Sequence, residues 1–500
     1  MQKIPALIYQ KLRNVGNNSQ VPHFERQLRM IGIESIIKGI EAVLPANLLF
    51  ESVKDSFRMD ETDKRGKTCK VGKNFIIQGT KFDLQKYEQI LIVGGGKASG
   101  MLAKSLIDYF PLEIKVSGVI NVPKDQNLSP KIVNQHGTSK IFVHFAQHPI
   151  PDLEGIVGVE QMISLISQSP SNTLVIALIS GGGSALLVAP VEGISLSDLQ
   201  TTNKLLLKSG VSIQEMNCIR KHLSQIKGGQ LAKICYPRDL ISLILSDVMG
   251  DPLDSIASGP TVPDSSTFNR AIEIAQRYQI WNQLPMTVQN HLKNGSLGLI
   301  EETPKKNSPV FSRTWNFLIG SVSNSIKAIQ TMLYSQDISL HEIPIPFQGE
   351  AKDYGEQLAH LNLTQFGIQS TTALYRTGEL TVTLRGKGIG GRNQEMLASF
   401  LLNLKKNSNL DWNHYTYTIF SVAFDGLEGN SPAMGAIVDS SSLLRLELCV
   451  PDSTTYLTKI LQNNNSYRLF QTLCDALVSG MTNTNVNDLL FILICPKKEQ

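Results

Sequence analysis

QILIVGGGKASGMLAKSL, residues 89–106, decides the fold. Aliphatic residues in a row, then three glycines, then apolar positions spaced along one helix face, read as a buried strand that turns sharply into a helix. The rhythm returns in TLVIALISGGGS at 173–184 and LISLILSD at 240–247, where an apolar run again ends in glycine or a small polar residue. Strands that alternate with helices in this way build a parallel sheet, and such sheets bind ligands at the carboxyl ends of their strands. The expected class is α/β, with function at the glycines.

Five hundred residues, 42% hydrophobic and 18% charged, exceed what one core usually supports, so two α/β domains are expected. The polar, proline-containing segment GSLGLIEETPKKNSPVFSR at 295–313 has no sustained period, and WNFLIGS then opens a new strand. The boundary is placed there, giving domains at 25–300 and 301–500. The second half repeats the strand theme in ELTVTLRG at 379–386, YTIFSVAFDG at 417–426 and DLLFILI at 488–494. Residues 60–74 and 405–414 read as surface insertions.

A net charge of +4, from 47 basic and 43 acidic side chains dispersed along the chain, is too mild for a nucleic-acid or membrane surface, which leaves small molecules as partners. No apolar run approaches the roughly 20 residues that span a bilayer. Six cysteines without CxxC or metal-like spacing suit a reducing compartment without structural disulfides. A cytoplasmic location follows, with a mitochondrial one as the alternative because residues 1–24 carry Lys3, Lys11 and Arg13 and no acid. Oligomeric state has no signature in the sequence.

At the first loop, Gly94, Gly95 and Gly96 open a helix whose free amides and dipole would attract an anion, and Lys97 adds a mobile charge that a mere turn does not need. A dinucleotide fingerprint is nearly met, but Ser99 stands where its third glycine belongs. Gly181, Gly182 and Gly183, flanked by Ser180 and Ser184, read as a second oxyanion cradle. In ILSDVMGDPLDSIASGP, 244–260, Asp247 ends a strand and is the better candidate for a metal or substrate carboxylate. Asp251 before Pro252 also reads as a helix N-cap with Asp254 as its capping-box partner. Asn217, Arg220 and Lys221 share one helical turn, a face suited to a carboxylate or phosphate, with Lys227 beside a Gly-Gly helix end; His222 reads as packing. In GKGIGGRNQE, Gly391, Arg392 and Asn393 begin a helix, and an arginine at a positive helix end without an anion to share argues for function. Asp425 ends a strand before glycine, either a metal carboxylate or an Asp-Gly turn. GKT at 66–68 is not a Walker A loop, because its first glycine is replaced by Glu61.

Anion cradles, a lysine, an arginine and strand-end aspartates are what phosphoryl transfer asks for. Together with HPIPD at 148–152, NCIRKHLSQIKGGQLA, GELTV, FDGLEG and GMTNTNVNDLLF, in order from about residue 30 to 494, they resemble the class II glycerate kinases, the family that ends in a MOFRL domain and includes the animal enzyme. The resemblance implies an ATP-dependent kinase of D-glycerate, usually making 2-phosphoglycerate, with 3-phosphoglycerate as the alternative. It implies two Rossmann-like parallel-sheet domains with the active site in the cleft between them. The family's catalytic lysine and arginine fall on Lys97 and Arg392. The chain departs from the family at Thr377 and at Ala423 and Phe424, which puts Glu379 and Asp425 in doubt.

The expected mechanism has the glycerate 2-hydroxyl attack the γ-phosphoryl of ATP while Mg²⁺, Lys97 and Arg392 spread its charge. Asp247, or else Asp251, holds the metal or takes the proton, and Asn217 and Lys221 receive the substrate carboxylate. Two other readings stand beside it, a nicotinamide-dependent hydroxyacid oxidoreductase and a non-catalytic sugar-phosphate-binding regulator.

Overall fold

The computed structural model describes residues 2–56, 73–111, 113–134 and 136–497. Most of the expected insertion at 60–74, with GKT and Cys69, lies outside them. The chain forms two compact units: a continuous one, Pro45–Gly320, and a discontinuous one made of Met1–Leu44 and Ser321–Gln500.

The continuous unit opens with the helix Pro45–Val53 and later forms an antiparallel hairpin, β1 (Asn74–Ile77) and β2 (Thr80–Asp83). Its main sheet contains β3 (Gln89–Gly95), β4 (Lys115–Pro123), β5 (Lys131–Val133), β6 (Lys140–Ala146), β7 (Thr173–Ile179), β8 (Asp239–Leu245) and β9 (Thr314–Gly320). Their order is β5-β6-β4-β3-β7-β8-β9, all parallel except the edge strand β5. Both faces are covered. Ile90 and Ile92 of β3 enter one core with Leu102 and Leu106 of the helix Ser99–Leu106; Leu91 and Val93 enter the other with Met162 and Ile166 of Leu153–Gln168. A strand buried on both faces has no use for polar alternation, which is why these runs are continuously apolar. From β3 the strand order runs outward both ways, so β3 and β7 flank the topological switch point where doubly wound sheets bind ligands.

The discontinuous unit carries β10 (Ser339–Glu342), β11 (Phe347–Glu350), β12 (Thr372–Thr381), β13 (Tyr415–Val422), β14 (Gly435–Asp439), β15 (Ala476–Leu477) and β16 (Asp488–Pro496). The order is β10-β12-β16-β13-β14-β15, with β11 also on β12. Helices Ala351–Ala359 and Arg392–Lys406 cover one face, and His23–Ala42 lies on the other, where a Cβ on Gly32 would stand 2.1 Å from the Phe420 ring.

The α/β class holds, with three differences from the sequence reading. The second sheet is mixed rather than parallel: only β10 and β11 run parallel to β12, while β16 is antiparallel to both its neighbours. WNFLIGS does not open a second domain; as β9 it completes the first sheet against β8, and the division falls after Gly320. Residues 405–414 are not wholly superficial, since Trp412 is buried and its indole Nε1 donates to Leu358 O at 3.1 Å. Among the described residues no helix is long and apolar enough to cross a membrane.

Candidate active site

The two glycine loops meet at the switch point. A Cβ on Gly94 would lie 2.1 Å from Leu178 O and one on Gly96 2.2 Å from Ser180 Oγ, and both glycines have positive φ. Side chains are excluded there because β7 passes too close. The amides expected to face an anion are turned inward: Gly96 N donates to Asn121 O at 3.1 Å, Lys97 N to Gly181 O at 2.8 Å, and Ala98 N to Ser180 Oγ at 3.0 Å. Gly183 N donates to Ser180 O at 3.2 Å. Ser180 itself is fully buried and lies 3.1 Å from the hydroxyl of Ser99, which in turn donates to Leu178 O. The expectation of a bare cradle is therefore corrected at the first loop, where Gly94, Gly95 and Gly96 are buried and the following amides bond to the second loop; in the second, Ser180, Gly181 and Gly183 are buried and Gly183 N is taken. Lys97, Gly182 and Ser184 remain partly exposed. A Cβ on Gly182 would meet His148 Nε2 at 3.2 Å and Lys97 Cγ at 3.4 Å, so these two side chains flank it.

Ser184 leads to the helix Ile213–His222. Its Oγ is 3.1 Å from Ser258 Oγ, which donates to Asn217 Oδ1 at 3.1 Å. Ser258 and its neighbour Ala257 both have φ in the left-handed region, a strain of about 1–3 kcal/mol each that functional loops commonly hold. The face carrying Asn217 and Lys221 is not open to a substrate as expected: both are buried, and the Lys221 ammonium is 3.3 Å from Asp264 and 3.9 Å from Asp254. Burial would raise the Asp264 carboxyl, but Lys221 and the N–H and hydroxyl of Ser266 hold it below its ordinary value. His222 packs as expected, within 4.5 Å of the Phe268 ring centre.

Asp247 follows β8 and is half-buried. Asp251 is not an N-cap: its φ is +54°, whereas an N-cap is extended, and a turn and a short 3₁₀ segment, Ile256–Ser258, come next in place of an α-helix. Among the described residues no three His, Cys, Asp or Glu side chains cluster as a metal site.

Beside Gly182, a cavity of 740 Å³ opens within the continuous unit, lined by His148, Ile150, Ser184, Leu199, Lys204, Arg220 and Lys227 among others. Lys227 donates to Leu187 O, and burial, reinforced by the charge of Arg220, lowers its ammonium to about 7. Burial likewise lowers Arg220 to about 10. His148, Ser258 and Asp264 were not singled out in the sequence. For His148 the signal was available in HPIPD; the other two are recognisable only once distant segments are brought together.

In the discontinuous unit Arg392 is not uncompensated. Its Nε and Nη2 donate to the two oxygens of Asp488, the latter at 2.8 Å, and Nη1 is 3.2 Å from Glu379. Burial lifts the Asp488 carboxyl to about 6, still below neutrality, so the pair is ionised. The helix N-terminus at Gly391 is also filled. Asn393 N and Gln394 N donate to Glu428 Oε2 and Oε1 at 2.6 and 3.1 Å, and a Cβ on Gly391 would press on that carboxyl at 2.5 Å. Asn393 is buried, giving its amide to Asp488 and accepting from Ser421. Glu395 accepts from Asn464 at 3.0 Å. Asp425 makes the turn: its Oδ1 accepts from Leu427 N at 3.3 Å, and Gly426 has φ +99°.

Residues 33–293 match a family model described as a domain of unknown function, DUF4147, and residues 372–488 match the MOFRL family. The chain is 35% identical over 482 residues to a glycerate 2-kinase of Pyrococcus horikoshii, covering 94% of this chain and 98% of that one. It is 30% identical to the glycerate kinase of Rattus norvegicus, covering 85% and 88%. The crystal structure of the Thermotoga maritima glycerate kinase superposes with a TM-score of 0.74 at 31% identity, over 94% of this chain and 99% of that one. An Agrobacterium vitis relative whose name, hydroxypyruvate reductase, is provisional is 34% identical over 81% of this chain and 99% of its own.

Proposed function

The chain belongs to the glycerate kinase family and is a phosphotransferase, and we propose that it moves the γ-phosphoryl of ATP to the 2-hydroxyl of D-glycerate. The observation that carries this reading is Lys97, a half-buried cation at the strand switch point, beside Gly182 and His148. A phosphoryl group in flight needs alignment and charge neutralisation more than covalent help, and a cation carried on a loop whose own amides are locked starts from a fixed backbone position.

In this mechanism Lys97 bears on the oxygens of the transferring group. Asp488 fixes the guanidinium of Arg392 by its two-point bond, and Asn217 acts through Ser258 to hold Ser184. Asp247 takes the proton of the attacking hydroxyl. Asp247 follows β8 and Asp251 lies in the turn beyond it, and these carboxylates would hold a hard cation such as Mg²⁺, which takes one or two carboxylates beside nucleotide phosphates. When bound there it neutralises phosphate charge. The protein acts on small molecules, and a cytoplasmic setting accords with the paucity of cysteine.

Lys97→Met should fold as the wild type does and lose roughly 10²–10³-fold in turnover, the scale for deleting one charge-stabilising donor. Glycerate-dependent ADP release read beside far-ultraviolet circular dichroism tests this; turnover within a few-fold of wild type would remove Lys97 from the mechanism. Phosphorus NMR of the product separates the 2- from the 3-phosphate. The provisional name of the Agrobacterium relative favours one second reading, reduction of a hydroxyacid's keto form by a nicotinamide cofactor. Loss of nicotinamide absorbance with hydroxypyruvate, and no ADP release with glycerate, would establish that reading instead.

A further inference from the structure

The cavity beside Gly182 contains four cations on its walls, Lys204, Lys208, Arg220 and Lys227, and no carboxylate among the described residues that line it. Lys227 is 5% exposed, and among the described residues no acid offsets its charge or that of Arg220; the Nε of Arg220 is held instead by Asn203 Oδ1 at 2.7 Å. Burying cations without a counter-charge is expensive, and an anion that enters offsets the expense. Val188, Leu199 and Leu223 add apolar surface to the lining, and Ile150 and Leu207, which also line it, stay 62% and 67% exposed. Ligand sites of 300–1,000 Å³ with mostly apolar walls and a few convergent polar groups hold molecules far larger than a three-carbon acid, which would fill only a corner of 740 Å³.

We propose that this cavity is the nucleotide site, with the phosphates of ATP against Arg220 and Lys227 and its base on the apolar wall of Ile150, Val188, Leu199 and Leu207. The inference rests on the kinase reading and gives that reading's nucleotide a place. The orientation follows from Gly182, which lines the cavity and lies against Lys97, so the phosphate end points to the inner wall and the base to the mouth. It also accounts for the bare Cα at Gly182, because a side chain there would crowd His148 and Lys97 where the last phosphate must pass.

The test is calorimetric binding of ADP to the wild type, Lys227→Met and Lys204→Glu, with turnover measured separately. Lys227→Met keeps the shape of a buried side chain and removes its charge; Lys204 is exposed, so its reversal leaves the fold alone. Both variants should weaken ADP binding, Lys227→Met by roughly tenfold or more, while the KM for glycerate in Lys204→Glu stays within about twofold. If Lys227→Met does not fold, the Lys204→Glu titration decides alone. ADP affinity unchanged in the folded variants, or a wild type that binds no ADP, overturns the site. A rise confined to the KM for glycerate overturns it too, by giving the cavity to the acid. Wild-type glycerate-dependent ADP release alongside unchanged variant affinities would reject the site and keep the kinase; its absence would reject the kinase.

Discussion

Lys227 brings a charge into the interior, and its cost is visible in pH. Burial lowers its ammonium from the ordinary 10.5 to about 7. Below pH 7 the folded and unfolded chains both hold the proton, so the folded state bears the whole desolvation penalty. Between 7 and 10.5 the unfolded chain binds a proton that the folded chain lacks, and stability therefore rises with pH across that window. Lys227→Met should accordingly raise the urea midpoint at pH 6, by the equivalent of about 5 kcal/mol, and raise it less at pH 9. Equal gains at the two pH values would show that packing, not charge, sets the difference. A substitution that stabilises the fold while weakening nucleotide binding is what a strained functional group predicts. Of the two cations at this end of the sheet, Lys97 was legible in the sequence because its charge sits among glycines, where a turn has no use for it. Lys227 was seen only as a neighbour of a Gly-Gly helix end, since burial is a property of the folded surroundings. Arg392 looked uncompensated for the same reason: its partner Asp488 lies 96 positions along the chain.

At the scale of the element, the helix Arg392–Lys406 begins on a carboxylate of its own chain. Glu428 accepts from two backbone amides of the first turn and from Gln394 Nε2 at 2.7 Å, doing for this helix what an external anion was expected to do. Burial pushes Glu428 up to about 7, so above that pH the cap is ionised. Glu428→Gln replaces one accepting oxygen by an N–H₂ that faces a donor, and should cost about 1–3 kcal/mol at pH 8, read as a fall in the thermal midpoint of the discontinuous unit. A midpoint unchanged at pH 8 would mean that the helix start is held by packing alone. Strands and their succeeding helices were readable here from apolar runs closed by glycine. Strand direction was not, because a run buried on both faces carries no alternation and DLLFILI reads equally well as a parallel or an antiparallel centre. The purpose of the glycines was also hidden, since a loop that hugs another loop and a loop that cradles a ligand need the same absence of side chain.

At the scale of the whole molecule, the first 44 residues fold with the last 180 rather than with their neighbours in the chain from Pro45 onward. The join is ionic as well as apolar. Arg29, fully buried on the helix His23–Ala42, donates through Nε to Asp439 Oδ2 at 2.6 Å and through Nη1 to Asp475 Oδ1 at 2.7 Å, and Arg445 closes the group on Asp475 at 2.6 Å. Burial would raise Asp439, but Arg29 and Arg445 outweigh it and hold the carboxyl below its ordinary value. No local pattern announces a contact across 410 positions, and the polar stretch 295–313 has the composition of a linker although it only connects a helix to the last strand of the first sheet. That connectivity has two consequences. A fragment of residues 45–320 contains a complete doubly wound sheet with both faces covered, and should melt cooperatively by itself. A fragment of 321–500 lacks the helix over Phe420 and the cation between Asp439 and Asp475, and should stay unfolded until a peptide of residues 2–44 is added, when circular dichroism should recover. In that complementation an Arg29→Met peptide should bind far more weakly, because removing one member of a buried ionic group leaves the others uncompensated at about 3–5 kcal/mol, roughly two to four orders of magnitude in affinity. Recovery to the same extent with the methionine peptide would show that apolar packing against Phe420 is enough to assemble the unit.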